Sequence, residues 1–451
     1  MLQNIYFDTP ELKLNHARIA LRIRKAGDLY IQTLKTSGSG SGGLHERGEW
    51  EWELSKPELD LSLIDSDVLP ERLDTETLKN ELKPAFETNF TRQRWLLDVS
   101  HEHLKAEIEL VLDQGEAIAE GQKDPISEIE LELKSGDADL LFKVAHDLSD
   151  TVPLLISNIS KAQRGFRLFA PQQAGLRTPQ IPPFDDVHGL IRAAQNELDS
   201  FISARDQLAF NRDWALLDQL YSSLRQFRWC LLHLSRLSGI PSELHFPTAL
   251  RYKLRMLSYS LEHLATLHQQ KVSWERLESS PTELRNCADF SLLNEQYQSL
   301  MTGPWVGQTL LEVMQWLYLM NREMDATALA DSEATFQLLL SRVHLPRYPT
   351  DKVLWLRQQA PLLHLSRWIA YQFQPPSLGV KKLSQQTHEL QQLIIRLSGL
   401  MAEEMSLLRL ADQQTVDEAL IKRNQDDQYE LILELGRHEL SFNSLQQNLK
   451  R

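Results

Sequence analysis

Along five short segments of this chain, charged residues recur at every second position. Arg22 and Arg24 share one phase. So do Arg47, Glu49, Glu51 and Glu53; Arg92 and Arg94; Glu107, Glu109 and Asp113; and Glu128, Glu130 and Glu132. The intervening positions are apolar, as in Trp50, Trp52 and Leu54, or Ile129, Leu131 and Leu133. A period of two is that of a β-strand, so each charged set occupies one strand face. Clustered arginines and lysines neutralise a polyanion, and guanidinium forks match phosphate oxygens in pairs. Clustered carboxylates repel that anion unless a hard divalent cation lies between them, and carboxylate oxygens suit Mg2+ or Mn2+. The combination is suited to phosphoryl transfer to water, where positioning and charge neutralisation dominate.

Two architectures give such a pattern. In one, a half-buried antiparallel sheet turns its charged face to solvent. In the other, the sheet curls so that the charged face lines a tunnel and the apolar face packs outward against helices. Periodicity alone leaves both open.

The elements that must position these residues fall into two regimes. Strands are expected near 4–7, 17–25, 29–36, 47–54, 91–99, 104–113, 127–134 and 163–168. The run 36–43 reads as a flexible hairpin loop, since it lacks the Lys-Ser/Thr ending of a phosphate-binding loop. From about 188 to 445 the period is helical. Leu217, Leu220, Leu224, Phe227, Leu231 and Leu234 form one stripe; Leu390, Leu393, Ile394, Leu397, Leu400 and Met401 form another. Pro171, Gly175, Pro179, Pro182 and Pro183 mark a linker. The expected organisation is α+β: an antiparallel β tunnel or barrel over 1–170, a linker at 171–184 and a helical bundle over 185–451.

A formal net charge of -14 argues against a general nucleic-acid binder. Cys230 and Cys287 are isolated, which excludes a disulfide framework and a zinc module. No signal peptide or membrane span is read, and a cytoplasmic protein is expected. His101 and His103 flank Glu102 in a turn without further ligands at zinc spacing, and Cys230 reads as core.

The segments YFDTP (6–10), ALRIR (20–24), QTLK (32–35), RGEWEWEL (47–54), EIELVLDQGE (107–116), PISEIELELKSGD (125–137) and SKAQRG (160–165) together resemble the CYTH superfamily, the triphosphate tunnel metalloenzymes. The resemblance implies that Arg22, Arg24, Lys35, Arg92 and Arg94 bind the triphosphate. It implies that Glu130 and Glu132 form an acidic metal-binding pair, with Glu49, Glu109 and Asp113 as further acidic positions. Lys161 resembles the lysine beside the family's final strand and is the candidate catalytic residue; a solvated turn lysine is the alternative. The family opens with a strand carrying Glu-x-Glu-x-Lys, whose glutamates hold the catalytic metal. This sequence starts at Met1 within what corresponds to the next strand. The expectation is a displaced gene start, with weak or no hydrolysis by this chain but measurable triphosphate binding.

The helical half resembles a CHAD domain, a module that binds polyphosphate, and the pairing resembles the inorganic triphosphatases of enterobacteria. Where that module carries His-x-x-Arg, Asp218 and Tyr221 stand here. Arg225 and Arg228 remain, and Arg251, Lys253 and Arg255 follow on the next helix. A solvated helix face explains these cations equally well. The implied function is metal-dependent hydrolysis of inorganic triphosphate, with Mg2+ or Mn2+ as cofactor. The alternatives are a triphosphate- or polyphosphate-binding protein without turnover, and a related chemistry such as thiamine triphosphatase or class IV adenylate cyclase. Neither nucleic acid nor membrane is an expected partner.

Overall fold

The computed structural model describes the chain apart from residues 37–38, 42–43, 47, 66–67, 70–72, 74, 174–185, 236–239, 276–290, 325–331, 373–376, 412–417 and 450–451. It divides into two compact units: Met1–Val152 with Ile156–Arg177, and Pro153–Leu155 with Thr178–Arg451. Of the expected linker, Pro171–Gln173 form a 3-10 turn, and the remainder lies outside the described residues, as do Arg47 and Cys287.

The first unit is built on β1 (Leu2–Asp8), β2 (Ile19–Ala26), β3 (Leu29–Thr36), β6 (Glu49–Leu54), β7 (Lys83–His101), β8 (Leu104–Ala119) and β9 (Gln122–Gly136). They form one sheet in the order β6-β3-β2-β1-β7-β8-β9, with every neighbouring pair antiparallel. The short β4 (Ser39–Ser41) and β5 (Leu44–Glu46) pair with each other. The β8–β9 hairpin turns through Glu120 and Gly121, both at positive φ (49° and 77°). Two such residues match the twist of the flanking strands, and glycine adopts this conformation without steric cost.

The alternation read from the sequence is the alternation of faces. Leu21, Ile19 and Leu34 turn to one side with Trp50 and Trp52, where Leu14 and Leu78 cover them. Leu14 lies on α1 (Lys13–His16) and Leu78 on α2 (Thr75–Glu81). Farther along, Leu140 and Val144 of α3 (Asp139–Ser149) cover Ala106 and Ile108, with Leu131 and Leu133 beside them. The apolar back of the sheet therefore holds the core, and the charged residues share the front.

One expected strand is a helix. Residues 163–168 lie inside α4 (Lys161–Phe169). The Ser160 side chain accepts from Gln163 N–H while the Gln163 side chain accepts from Ser160 N–H, a reciprocal cap that starts a helix. The alternation of Phe166 and Leu168 with polar residues suggested a strand, but Ser-x-x-Gln was the stronger local signal. Gly165 lets α4 close onto β7, since a Cβ there would sit 1.9 Å from the Phe86 ring.

In the second unit the longest helices among the described residues are α5 (Val187–Asn211), α6 (Leu216–Leu234), α7 (Thr248–Glu275), Pro304–Glu323, Leu378–Ala411 and Glu418–Leu449. The stripe Leu217, Leu220, Leu224, Phe227, Leu231 and Leu234 is buried throughout, as are Leu390, Leu393, Ile394, Leu397 and Leu400. Cys230 is fully buried, and burial pushes its thiol well above the usual range.

Asp218 of α6 makes this unit's stability pH-dependent. Burial raises its carboxyl from 3.8 to about 6, against the lowering effect of the Gln269 amide 2.6 Å away. The folded form then holds a proton that the unfolded chain has released, so stability falls as pH rises from about 4 to about 6 and is level above that. Asp218→Asn should flatten this slope and stabilise the protein near neutrality by up to about 2 kcal/mol, allowing for residual solvent access. Urea unfolding followed by far-UV circular dichroism across that range measures it. A wild-type curve that does not fall would contradict the assignment.

Candidate functional site

Residues that pair across antiparallel strands project to the same side, and the register carries one charged face across the sheet. Asp113 on β8 pairs with Arg92 on β7 and Glu128 on β9. Val111 pairs with Arg94 and Glu130, and Glu109 with Leu96 and Glu132. Tyr6 on β1 pairs with Phe86 and Arg22, and Asn4 with Thr88 and Arg24. Lys35 on β3 pairs with Ala20 and Glu49, and Thr33 with Arg22 and Glu51.

The β2–β3–β6 part of this face is cationic. Lys35 Nζ lies 2.7 Å from Glu49 Oε2, and Arg24 Nη1 lies 4.0 Å from Glu51 Oε1. Arg22 is 5% exposed. Its Nη1 donates to the Tyr6 hydroxyl at 3.3 Å, but Nε and Nη2 have no hydrogen-bond partner among the described residues. Glu49 Oε1, at 3.8 Å from Nη2, is too far to accept. The Thr88 hydroxyl, also buried, has no partner either. Unsatisfied buried donors beside like charges are costly unless an anion completes them. Burial lowers the Arg24 guanidinium to about 10, with Arg22 and Arg92 adding to the effect. Burial and Arg22 likewise depress Lys35, against the pull of Glu49. Burial alone would raise Tyr6, but Arg22 outweighs it with help from Lys35 and Lys161, and the phenol falls below its usual value.

The β7–β8–β9 part is acidic and is closed by α4. Arg92 forms a two-point pair with Asp113, Nε to Oδ1 at 2.8 Å and Nη2 to Oδ2 at 2.7 Å, and reaches Glu130 at 3.2 Å. Lys161, the first residue of α4, places its ammonium 2.7 Å from Asp113, 2.5 Å from Glu128 and 3.0 Å from Glu130. Its Nζ also lies 5.2 Å from the centre of the Phe90 ring. Burial opposes the Lys161 charge, but Glu130 and Glu128 more than offset it and raise its pKa. Burial likewise opposes the Asp113 charge, and hydrogen bonds from Arg92 and Lys161 bring its pKa below the usual carboxylate value. Arg164 lies 3.7 Å from Glu128, and Arg167 grips Asp124 at 2.9 and 2.5 Å. Positions 161, 164 and 167 fall on one helix face, so α4 docks by a row of cations on the carboxylates of β9. Lys161 is thus buried at the start of a helix and not on a solvated turn.

Asp113, Glu128 and Glu130 each present a carboxylate oxygen within 4.8 Å of the others. These hard donors fit Mg2+ or Mn2+. Glu132 is not part of this trio: its side chain is 65% exposed and bonds Lys134. Glu109 lies between Arg94 and Lys134, each at 3.7 Å, and Glu49 stays with Lys35 and Arg22. Glu128, not assigned to the metal from the sequence, stands in this carboxylate group with Asp113 and Glu130. Alternation put Glu128 and Glu132 on the correct face, but only the register with Asp113 distinguishes them. Tyr6, Asn4, Thr88 and Arg164 were also missed. The first three carry no charge and so left no mark in the pattern, and Arg164 depends on α4 being a helix.

Residues 1–166 match the family model of the CYTH domain. The matched region spans the whole charged sheet and the first part of α4, including Lys161 and Arg164. An inorganic triphosphatase of Haemophilus influenzae is 37% identical over 172 residues, 38% of this chain and 47% of that protein. The match thus spans about half the length of that relative. A solved structure from Bacillus halodurans, provisionally assigned as an adenylate cyclase, is 26% identical over 37% of this chain and 81% of its own, with a TM-score of 0.25. Among the described residues no helix is long and apolar enough to cross a membrane.

In the helical unit, Arg225 bonds the Tyr221 hydroxyl and Arg255 bonds Tyr259 at 3.1 Å, while Lys253 pairs with Glu312 at 2.8 Å. Burial lowers Arg228, and the nearby Arg225 and Arg255 contribute.

Proposed function

We propose that the CYTH domain of this chain hydrolyses inorganic triphosphate with the help of a divalent cation. The observation that carries this reading is the pairing, on one sheet face, of buried unsatisfied Arg22 donors with the carboxylate trio Asp113, Glu128 and Glu130. The kinship with an inorganic triphosphatase supports it. Arg22, Arg24 and Lys35 hold one part of the anion, with Tyr6 and Thr88 as neutral donors. Arg92 and Lys161 lie where they can meet the rest of the chain, and Arg94 stands at the margin. Mg2+ or Mn2+, held by Asp113, Glu128 and Glu130, would supply charge neutralisation at the phosphate oxygens. The protein's own contribution is to fix the polyanion in line for water and to surround the developing charge with preorganised cations.

Every carboxylate of the trio already faces a lysine or arginine of the chain, which favours a second reading, triphosphate binding without turnover. Phosphate release from tripolyphosphate with Mg2+ or Mn2+ separates the two. Under the first reading wild type turns over and Glu128→Gln with Glu130→Gln loses about 10² or more in rate. Binding by calorimetry with no release in wild type favours the second. For the helical unit, the CHAD resemblance extends the proposal to a longer phosphate chain at Arg225, Arg228 and Arg255, where Arg225 and Arg255 both bear on Arg228 and Glu262 meets Arg225 only at 4.0 Å. A cytoplasmic location is part of the same reading.

A further inference from the structure

We infer that Lys161 is an exchangeable placeholder for the divalent cation: its ammonium holds the Asp113–Glu128–Glu130 trio together until the cation displaces it, and the freed charge is then available to the phosphate anion. This rests on the proposed metal role of the trio. The ammonium meets Asp113 Oδ2, Glu128 Oε1 and Glu130 Oε1 at 2.7, 2.5 and 3.0 Å, on the same three carboxylates that could hold a metal ion. A cation held by these carboxylates at about 2.0–2.6 Å would lie close beside the ammonium, and repulsion between the two positive charges makes them compete for the trio. A lysine suits exchange because its charge is compact and carried on a flexible stem of four carbons. Arg92 does not, being fixed by two parallel bonds to Asp113.

The rest of α4 is arranged to stay while Lys161 leaves. Arg167 forms a buried pair with Asp124, and Gly165 seats the helix on Phe86, which in turn stacks on Tyr6 at 4.6 Å between ring centres. Phe166 adds an edge contact to Phe86 at 4.7 Å. Only the side chain of Lys161 has to swing, over the Phe90 ring and toward the side where Tyr6 feels its charge. Cation loading and the delivery of a positive charge to the substrate are therefore one event. An empty trio keeps its own carboxylates neutralised.

Two measurements on the full chain test this. Calorimetry with Mn2+ alone compares wild type with Lys161→Met, which keeps the stem and removes the charge. Acetylation of lysines by an N-hydroxysuccinimide ester, read by mass spectrometry, follows Lys161 in wild type with and without Mn2+. The expected results are Mn2+ binding at least about tenfold tighter in the variant, as when a competing contact is removed, and faster labelling of Lys161 on Mn2+ addition. If wild type and variant bind Mn2+ alike, or Lys161 labelling does not change as Mn2+ saturates, the exchange is refuted while the proposed hydrolysis stands. Absence of Mn2+ binding in both proteins removes the exchange and the metal role together. Should the variant fail to fold, the labelling of wild type decides alone.

Discussion

Arg22→Met should lose triphosphate affinity by about 10²-fold and leave the protein at least as stable as wild type. The guanidinium is 5% exposed and offers two donor nitrogens that nothing in the described chain satisfies. Two charge-assisted bonds to phosphate at about 1.5 kcal/mol each give that loss. Stability moves the other way because a buried charge without a full set of partners opposes folding, and an apolar side chain of similar length relieves it. Calorimetric titration with tripolyphosphate and urea unfolding of the same samples read both numbers. A variant that is strongly destabilised, or that binds triphosphate as wild type does, would show that Arg22 is structural.

Asp113→Ala is expected to have the largest effect on stability in the first unit, a loss of about 3–5 kcal/mol. Asp113 is fully buried and serves Arg92 through both oxygens and Lys161 through one. Its removal takes the two-point partner from Arg92 and one of three carboxylates from Lys161, whose side chain is only 8% exposed. The loss should shrink by more than about 1 kcal/mol when Lys161→Met is added, since the double variant no longer buries an ammonium that has lost one of its carboxylates. A single variant that loses less than about 1 kcal/mol, or a double variant showing full additivity, would mean the network is solvated in solution.

The β part of the fold was legible because its strands alternate without interruption. Glu49-Trp50-Glu51-Trp52-Glu53-Leu54 admits no helical reading, and neither does Glu128 through Leu133. That Arg22 faces with Arg24, Arg92 with Arg94, Asp113 with Glu109 and Glu130 with Glu128 followed from that alternation, which carries phase within each strand; Lys35 entered only through the family resemblance. It carries no register between strands, and so it could not show that Glu128, and not Glu132, lies opposite Asp113. The segment 163–168 failed for a related reason. Nine residues of helix show too few turns to display a period, and the decisive information lay in the cap formed by Ser160 and Gln163. Thr88 and Asn4 were invisible, since a neutral polar residue on a strand means nothing until its neighbours are known.

The position of β1 at the middle of the sheet has a consequence for how the domain assembles. β2 with β3, and β7 with β8 and β9, are ribbons joined by short turns, and each can zip from its own turn within microseconds. β1 joins them. It finds β2 nearby, but its bond from Asn4 to Thr88 spans 84 residues. Closing that loop is the entropic bottleneck, and until it closes both ribbons expose an unpaired edge. Refolding should therefore be limited by one late, long-range docking step. Substitutions along the β1–β7 seam, such as Asn4→Ala, would slow folding, whereas those within either ribbon would mainly hasten unfolding.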